Sequence, residues 1–403
     1  MMFEHKRILA GFFAILSLGA MQAQTKGRAV LYASAGPEFT QYDMDADGAS
    51  LLKKSSIRLP ANVQYAWQHP SRKYLYVAWS DGGASAAPVG AAVVPRGKLH
   101  GVSAFLIDPQ SGALQEIGKA VAIPSRPIHL STDISGTHVL VAYNDPSSVT
   151  VHRLNADGTI GALVTQPSAL DTGIYAHQVR VAPSNQTVIL VTRGNGPTKD
   201  KPEDRGALKV FSYADGVLKN RASVAPNGGI NFQPRHVDFH PSQPWVYVTL
   251  ERQTQLQMYP LTKDGSLGAA PLFTKDSLAD PAHKVVLQNS GTLHVHPNGK
   301  FLYQATRSAG GGQNSIAVYT INPQTGEPTL IQNADTRGWE PRTFALDPST
   351  RILVVGNQAA VKTTPASLAV FRVGSDGKLE FARKYDVDTK TGSLFWMGII
   401  PLP

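Results

Sequence analysis

The sequence predicts an all-β fold: a seven-bladed β-propeller whose ring is closed by N- and C-terminal strands. Three observations carry this reading. First, a unit of apolar strand, tight turn and second strand recurs seven times, at Phe39–Leu51, Val102–Leu114, Val149–Gly161, Leu208–Leu218, Leu256–Gly268, Ile316–Pro328 and Leu368–Glu380. Each copy turns on Asp-Gly or Pro-x-x-Gly, and a repeat of roughly 50 residues built on one hairpin marks stacked β units. Second, six of these hairpins follow an inner hairpin with its own reversal, at His69-Pro-Ser, Asp133-Ile-Ser-Gly, Ala182-Pro-Ser-Asn, His240-Pro-Ser, His296-Pro-Asn-Gly and Asp347-Pro-Ser. Third, 36 Gly and 28 Pro beside 42% hydrophobic residues suit a turn-rich β chain with a large core.

Taking the elements in order, residues 1–24 read as a signal peptide. Lys6 and Arg7 precede the apolar run Ile8 to Met21, which is short for a bilayer span, and Ala23 offers a small residue for cleavage. The expected location is therefore periplasmic or secreted, with no membrane anchor after cleavage. Residues 25–403 form one domain, because a lone blade cannot bury both of its faces and must stack on neighbours. Apolar strands such as YLYVAW, HVLVAY and WVYVTL follow the inner turns. The seventh inner unit is completed by Ala29–Ser34 pairing with Ser393–Ile400. Three connections exceed what the repeat needs: Ser80–His100, Asn195–Arg205 and Arg307–Asn314. All follow the second inner strand, so they emerge on one face and are expected to form a partial lid.

Composition excludes several chemistries. With no Cys, thiol nucleophiles, thiolate metal sites and disulfides are absent. The net charge of +9 is spread along the chain without basic runs and interleaved aromatics, which argues for small anions as partners and against nucleic acid. No Gly-x-Ser-x-Gly elbow and no phosphate loop between strand and helix occurs. His294-Val-His296 could offer two imidazoles to a metal, but His296 holds the turn position also taken by His69 and His240. That recurrence reads as structural, so neither metal nor cofactor is expected.

The repeat also locates the chemistry. Five residues before each inner turn stand Gln64, Ile128, His177, Arg235, Gly291 and Arg342; eleven after it stand Ser80, Asn144, Arg193, Glu251, Arg307 and Gln358. In an antiparallel hairpin these positions share one end. His177, Arg235, Glu251, Arg307, Arg342, Arg193 and Asn144 should thus converge on one mouth, with four arginines facing one carboxylate and one imidazole. Guanidinium forks bind carboxylate or phosphate and stabilise oxyanions, and an imidazole among charges can be tuned for acid or base work.

These residues sit in motifs that resemble a known family, the seven-bladed β-propeller lactonases, which include propeller-type 6-phosphogluconolactonases and the 3-carboxy-cis,cis-muconate lactonising enzyme. The matching stretches are Pro127-Ile-His129, Tyr175-Ala-His177, Gln233-Pro-Arg235-His236 with Phe239-His-Pro, Gly299 to Tyr303 through Arg307 to Tyr319, and Glu340-Pro-Arg342 with Asn357-Gln358. They cover nearly all of residues 25–403. The resemblance implies a catalytic group of His177, Arg235, Glu251 and Arg307, with either Glu251 or His177 activating water. It implies lactone-ring hydrolysis or its reverse, without a required metal. Substrate contacts are expected from Arg342, Arg193, Asn144, His236 and His129, in a monomer that hydrolyses a small acidic lactone. A muconate-type cycloisomerase and a non-catalytic binding propeller are the other readings. Tyr32 to Pro37, Tyr175, Thr192-Arg193-Gly194 and Thr292 depart from the family pattern near the mouth.

Overall fold

A computed structural model describes residues 28–83, 95–262, 265–359, 361 and 363–403; the expected signal peptide and the tip of the first long connection lie outside these. Seven four-stranded antiparallel sheets form the ring. Blade 1 is the composite one. Its innermost strand is Leu394–Pro401, and Ala29–Ala35, Glu38–Asp45 and Ser50–Arg58 follow outward. Pairing runs from Ala29 opposite Pro401 to Ala35 opposite Leu394, so the expected closure between the chain's two ends is present. Blades 2 to 7 each use four consecutive strands, with inner strands Asn62–Gln68, Pro127–Thr132, Ala176–Val181, Pro234–Phe239, Asn289–Val295 and Trp339–Leu346.

The second strand of each blade is buried on both faces, which is why these segments are continuous apolar runs rather than alternating ones. In blade 4, for example, every residue of Thr187–Thr192 is buried. Seven core clusters fill the seams; one joins Ile189, Leu208 and Val210 of blade 4 to Val237, Val246 and Val248 of blade 5. The tyrosines inside these runs tie blade to blade. Tyr76 donates its hydroxyl to the Gly158 carbonyl (3.1 Å), Tyr247 to Gly326 and Tyr303 to Gly377 (both 2.9 Å), and Tyr32 to Gly112. Each acceptor is the glycine of the outer-hairpin turn one blade on, held at positive φ, where a side chain would be strained. The repeated turn glycine therefore both reverses its own blade and ties it to the one before.

The inner strands share an irregularity that the sequence does not announce. Pairing with the second strand slips between Val63 and Tyr65, Pro127 and His129, Ala176 and Gln178, Pro234 and His236, Ser290 and Leu293, and Pro341 and Thr343. The closing strand slips likewise between Leu394 and Met397. A β-bulge turns the extra residue out of the ladder and re-aims its side chain. The residues so displaced are Gln64, Ile128, His177, Arg235, Gly291 with Thr292, Arg342, and Phe395 with Trp396. Seven bulges at one level thus build the rim around the axis.

The three long connections start from that rim, as expected. Asp81 accepts the Lys98 and Leu99 amides (both 2.8 Å), Asp204 accepts the Asn195 amide group (2.8 Å), and Asn314 accepts the amides of Ser308 (2.9 Å) and Glu340 (3.0 Å). Among the described residues no helix is long and apolar enough to cross a membrane.

Candidate active site

Glu251, which ends the second strand of blade 5, is the hub of the rim. Its Oε2 accepts Arg193 Nη1 at 2.5 Å and its Oε1 accepts Arg307 Nη2 at 2.7 Å. Arg235 Nε stands 3.3 Å from the same Oε1, an ion pair without hydrogen-bond alignment. Arg307 spends its other terminal nitrogen on Glu340 Oε2 at 2.8 Å. Burial alone would raise the Glu251 carboxyl, but the Arg193, Arg235 and Arg307 guanidiniums override it and hold the group far below the ordinary carboxylate range. Arg235 is 1% exposed, and burial together with the Arg307 charge brings its guanidinium down to about 10.

The imidazoles lie against this array. Arg235 Nη1 donates to His236 Nε2 at 3.3 Å, and the His236 ring centroid is 5.3 Å from that of His177. Burial first, then the charges of Arg235, Arg193 and Arg342, push His177 well below the usual histidine range, so it is neutral at physiological pH. Its Nδ1 has no hydrogen-bond partner. His129, one residue beyond its strand's bulge, packs on Tyr65 with ring centroids 4.1 Å apart and is fully buried.

The structure thus brings together His177, Arg235, Glu251, Arg307, Arg193, His236 and Arg342, the last linked electrostatically to Arg235 and Arg307. Asn144 joins this group through Arg126, accepting its Nη1 at 3.3 Å. The expected picture of four arginines facing one carboxylate needs two amendments. Glu340 is a second acid, placed there because Asn314 of the third long connection binds its amide. Arg126 is a fifth guanidinium, buried and bonded through Nε to Gln64 Oε1 at 2.9 Å. Arg126 precedes its inner strand and so falls outside the repeat positions that revealed the others. Tyr175, where the family pattern has histidine, lies at positive φ with its ring 4.1 Å beneath the Arg193 guanidinium. The His294–His296 pair has structural partners: His296 Nδ1 accepts the Asn298 amide in its turn, and His294 packs edge-on against Phe344 at 5.0 Å.

A buried carboxylate under three guanidiniums, with an imidazole alongside, defines a class: seven-bladed propellers with a charged array at the central mouth. Within that class the chain belongs to the lactonase family of seven-bladed β-propellers, whose family model matches residues 29–395. It is 28% identical to the 6-phosphogluconolactonase of Bacillus subtilis (strain 168) over 64% of this chain and 70% of that one. It is 27% identical to that of Klebsiella pneumoniae (strain 342) over 88% and 95% of the two chains. Among solved structures it resembles the periplasmic gluconolactonase of Pseudomonas aeruginosa, with a TM-score of 0.71 and 21% identity over 93% of this chain and 99% of that one.

Proposed function

We propose that this protein hydrolyses a small lactone carrying an acidic substituent, as a monomer in the periplasm or outside the cell. The observation that carries the reading is the contrast between Glu251 and His177. Both oxygens of Glu251 already accept guanidinium hydrogen bonds, from Arg193 and Arg307, which leaves the carboxylate little capacity to take a proton from water. His177 is neutral and keeps Nδ1 unpartnered. In this reading His177 takes a proton from water as the water oxygen adds to the lactone carbonyl. The carbonyl electron pair moves onto oxygen, and that oxyanion faces Arg235. When the tetrahedral intermediate collapses, the ring C–O bond breaks and the ring oxygen takes the proton back from the imidazolium, leaving a hydroxy acid. Glu251 keeps Arg193, Arg235 and Arg307 in place against their mutual repulsion. Every step uses side chains of this chain. The signal-like leader and the likeness to a periplasmic gluconolactonase support export, which favours a sugar-acid or aromatic-acid lactone over a cytoplasmic sugar phosphate.

The test is proton release from a panel containing glucono-1,5-lactone, its 6-phosphate and a muconolactone. Hydrolysis of at least one is expected, and His177→Gln should lower kcat by about 10²–10⁴-fold with an unchanged melting temperature. If no lactone is consumed while carboxylates raise the melting temperature, the chain is a binding propeller. Ring closure of a diene dicarboxylate, seen as loss of its ultraviolet absorbance, would instead make it a cycloisomerase.

A further inference from the structure

The charges around the mouth do not balance evenly. Arg193, Arg235 and Arg307 share Glu251 and Glu340, all within blades 4 to 7. Arg126 and Arg342 have no carboxylate partner among the described residues. Both instead flank one aromatic ring. The Arg342 guanidinium carbon lies 3.7 Å from the Phe395 centroid and that of Arg126 lies 5.9 Å from it. Arg126 is oriented by the neutral acceptors Gln64 and Asn144, and the backbone of Gly83 packs so closely on it that a Cβ there would come within 1.7 Å of Nε. Among the described residues Arg342 makes no hydrogen bond through its guanidinium. Tyr175 completes this side, with its hydroxyl against Arg126 and Arg193.

A buried guanidinium is costly unless an anion compensates it. Here Arg126, buried, and Arg342, half-buried, stand over a shared apolar platform, both lacking an acid among the described residues. We propose that Arg126 and Arg342, seated on Phe395, form an anion subsite that takes the acidic substituent of the substrate, a phosphate monoester or a carboxylate. The subsite stands beside the Glu251 array, so the substituent docks on one side while the lactone carbonyl meets Arg235 and His177. That it serves a lactone rests on the hydrolase reading; that it binds an anion does not. Burial and the neighbouring charges of Arg235, Arg307 and Arg126 push the Arg342 guanidinium well below its usual range, a repulsion that a bound anion relieves.

Calorimetric titration of the full chain with inorganic phosphate and, separately, malonate tests the subsite without requiring turnover. One salt-sensitive site is expected, weakened on the order of tenfold or more in Arg342→Gln and in Arg126→Gln. His177→Gln should bind as the wild type does. Tighter binding of phosphate identifies a phosphate monoester as the natural group, and tighter binding of malonate a carboxylate. Arg342→Gln removes no hydrogen bond, so its melting temperature should stay near wild type and its result is decisive should Arg126→Gln fold poorly. Unchanged binding in Arg342→Gln, or no binding of either anion by the wild type, overturns the proposal. If the anion binds as described but no lactone is consumed, the subsite stands and the hydrolase reading falls.

Discussion

The two ends of the inner hairpins carry equally polar residues and treat them in opposite ways. At the turn end, Asp133 is 2% exposed and satisfied: it accepts the amides of Thr137 (2.7 Å) and His138 (3.0 Å) and the hydroxyls of Ser135 (2.8 Å) and Tyr213 (3.1 Å). His240 likewise meets the Gly299 carbonyl of the next blade through Nε2 at 2.9 Å and accepts the Gln243 amide on Nδ1 at 2.9 Å. At the rim end, His177 Nδ1, Arg235 Nε and Arg307 Nε are buried without a hydrogen-bond partner, and Arg342 rests on a ring. Buried polar groups in folded proteins are nearly always satisfied, so the exceptions at the rim end support the site proposed above. The strand is one object, with structure at one end and chemistry at the other.

Substitutions at the two ends should separate these roles. Glu251→Ala gives the largest effect: it takes the carboxylate from Arg193 and Arg235 and leaves Arg307 only Glu340, costs about 3–5 kcal/mol in denaturant unfolding and abolishes turnover. A loss of turnover with unchanged stability would show that the array does not depend on its hub.

Acid should come next. His129, His177 and His236 are all held well below their usual range, by burial first and then by neighbouring positive charge. The unfolded chain therefore takes up protons near pH 6.5 that the native rim refuses. Their contribution to stability is complete above about pH 6.5 and declines as pH falls below it, by up to about 1.4 kcal/mol per pH unit for each histidine. Glu251, also depressed, adds a further loss below about pH 4.5. Urea midpoints between pH 7.5 and pH 4.5 measure this, and His129→Phe should flatten the slope; a pH-independent midpoint would mean the imidazoles titrate normally.

The smallest effect belongs to the turn end. Asp133→Ala should cost about 2–3 kcal/mol through lost charge-assisted hydrogen bonds, while kcat per folded molecule stays at the wild-type value. A fall in kcat would carry function across to the opposite face.

Much of this was legible in the sequence because the repeat is regular. Counting from each inner turn selects His177, Arg235, Arg342, Arg193, Glu251 and Arg307, and the structure brings these six to one rim. The bulges escaped notice because every inner strand has one at the same place, so they cancel in any comparison of repeats. Arg126 escaped because it lies in a connection, before Pro127. Phe395 escaped for a different reason: its strand has no inner turn of its own from which to count, since its hairpin partner is Ala29–Ala35 at the other end of the chain. Signal processing and the span 84–94 belong to residues outside those described.

That shared blade has a temporal consequence. Ser34 and Trp396 are 362 positions apart and hydrogen-bond to one another where the ring meets, and Phe395 stands next to that junction. A ribosome releases six blades' worth of chain before the aromatic seat for Arg342 exists. The subsite proposed for Arg126 and Arg342 is therefore one that only a chain carrying Phe395 can assemble.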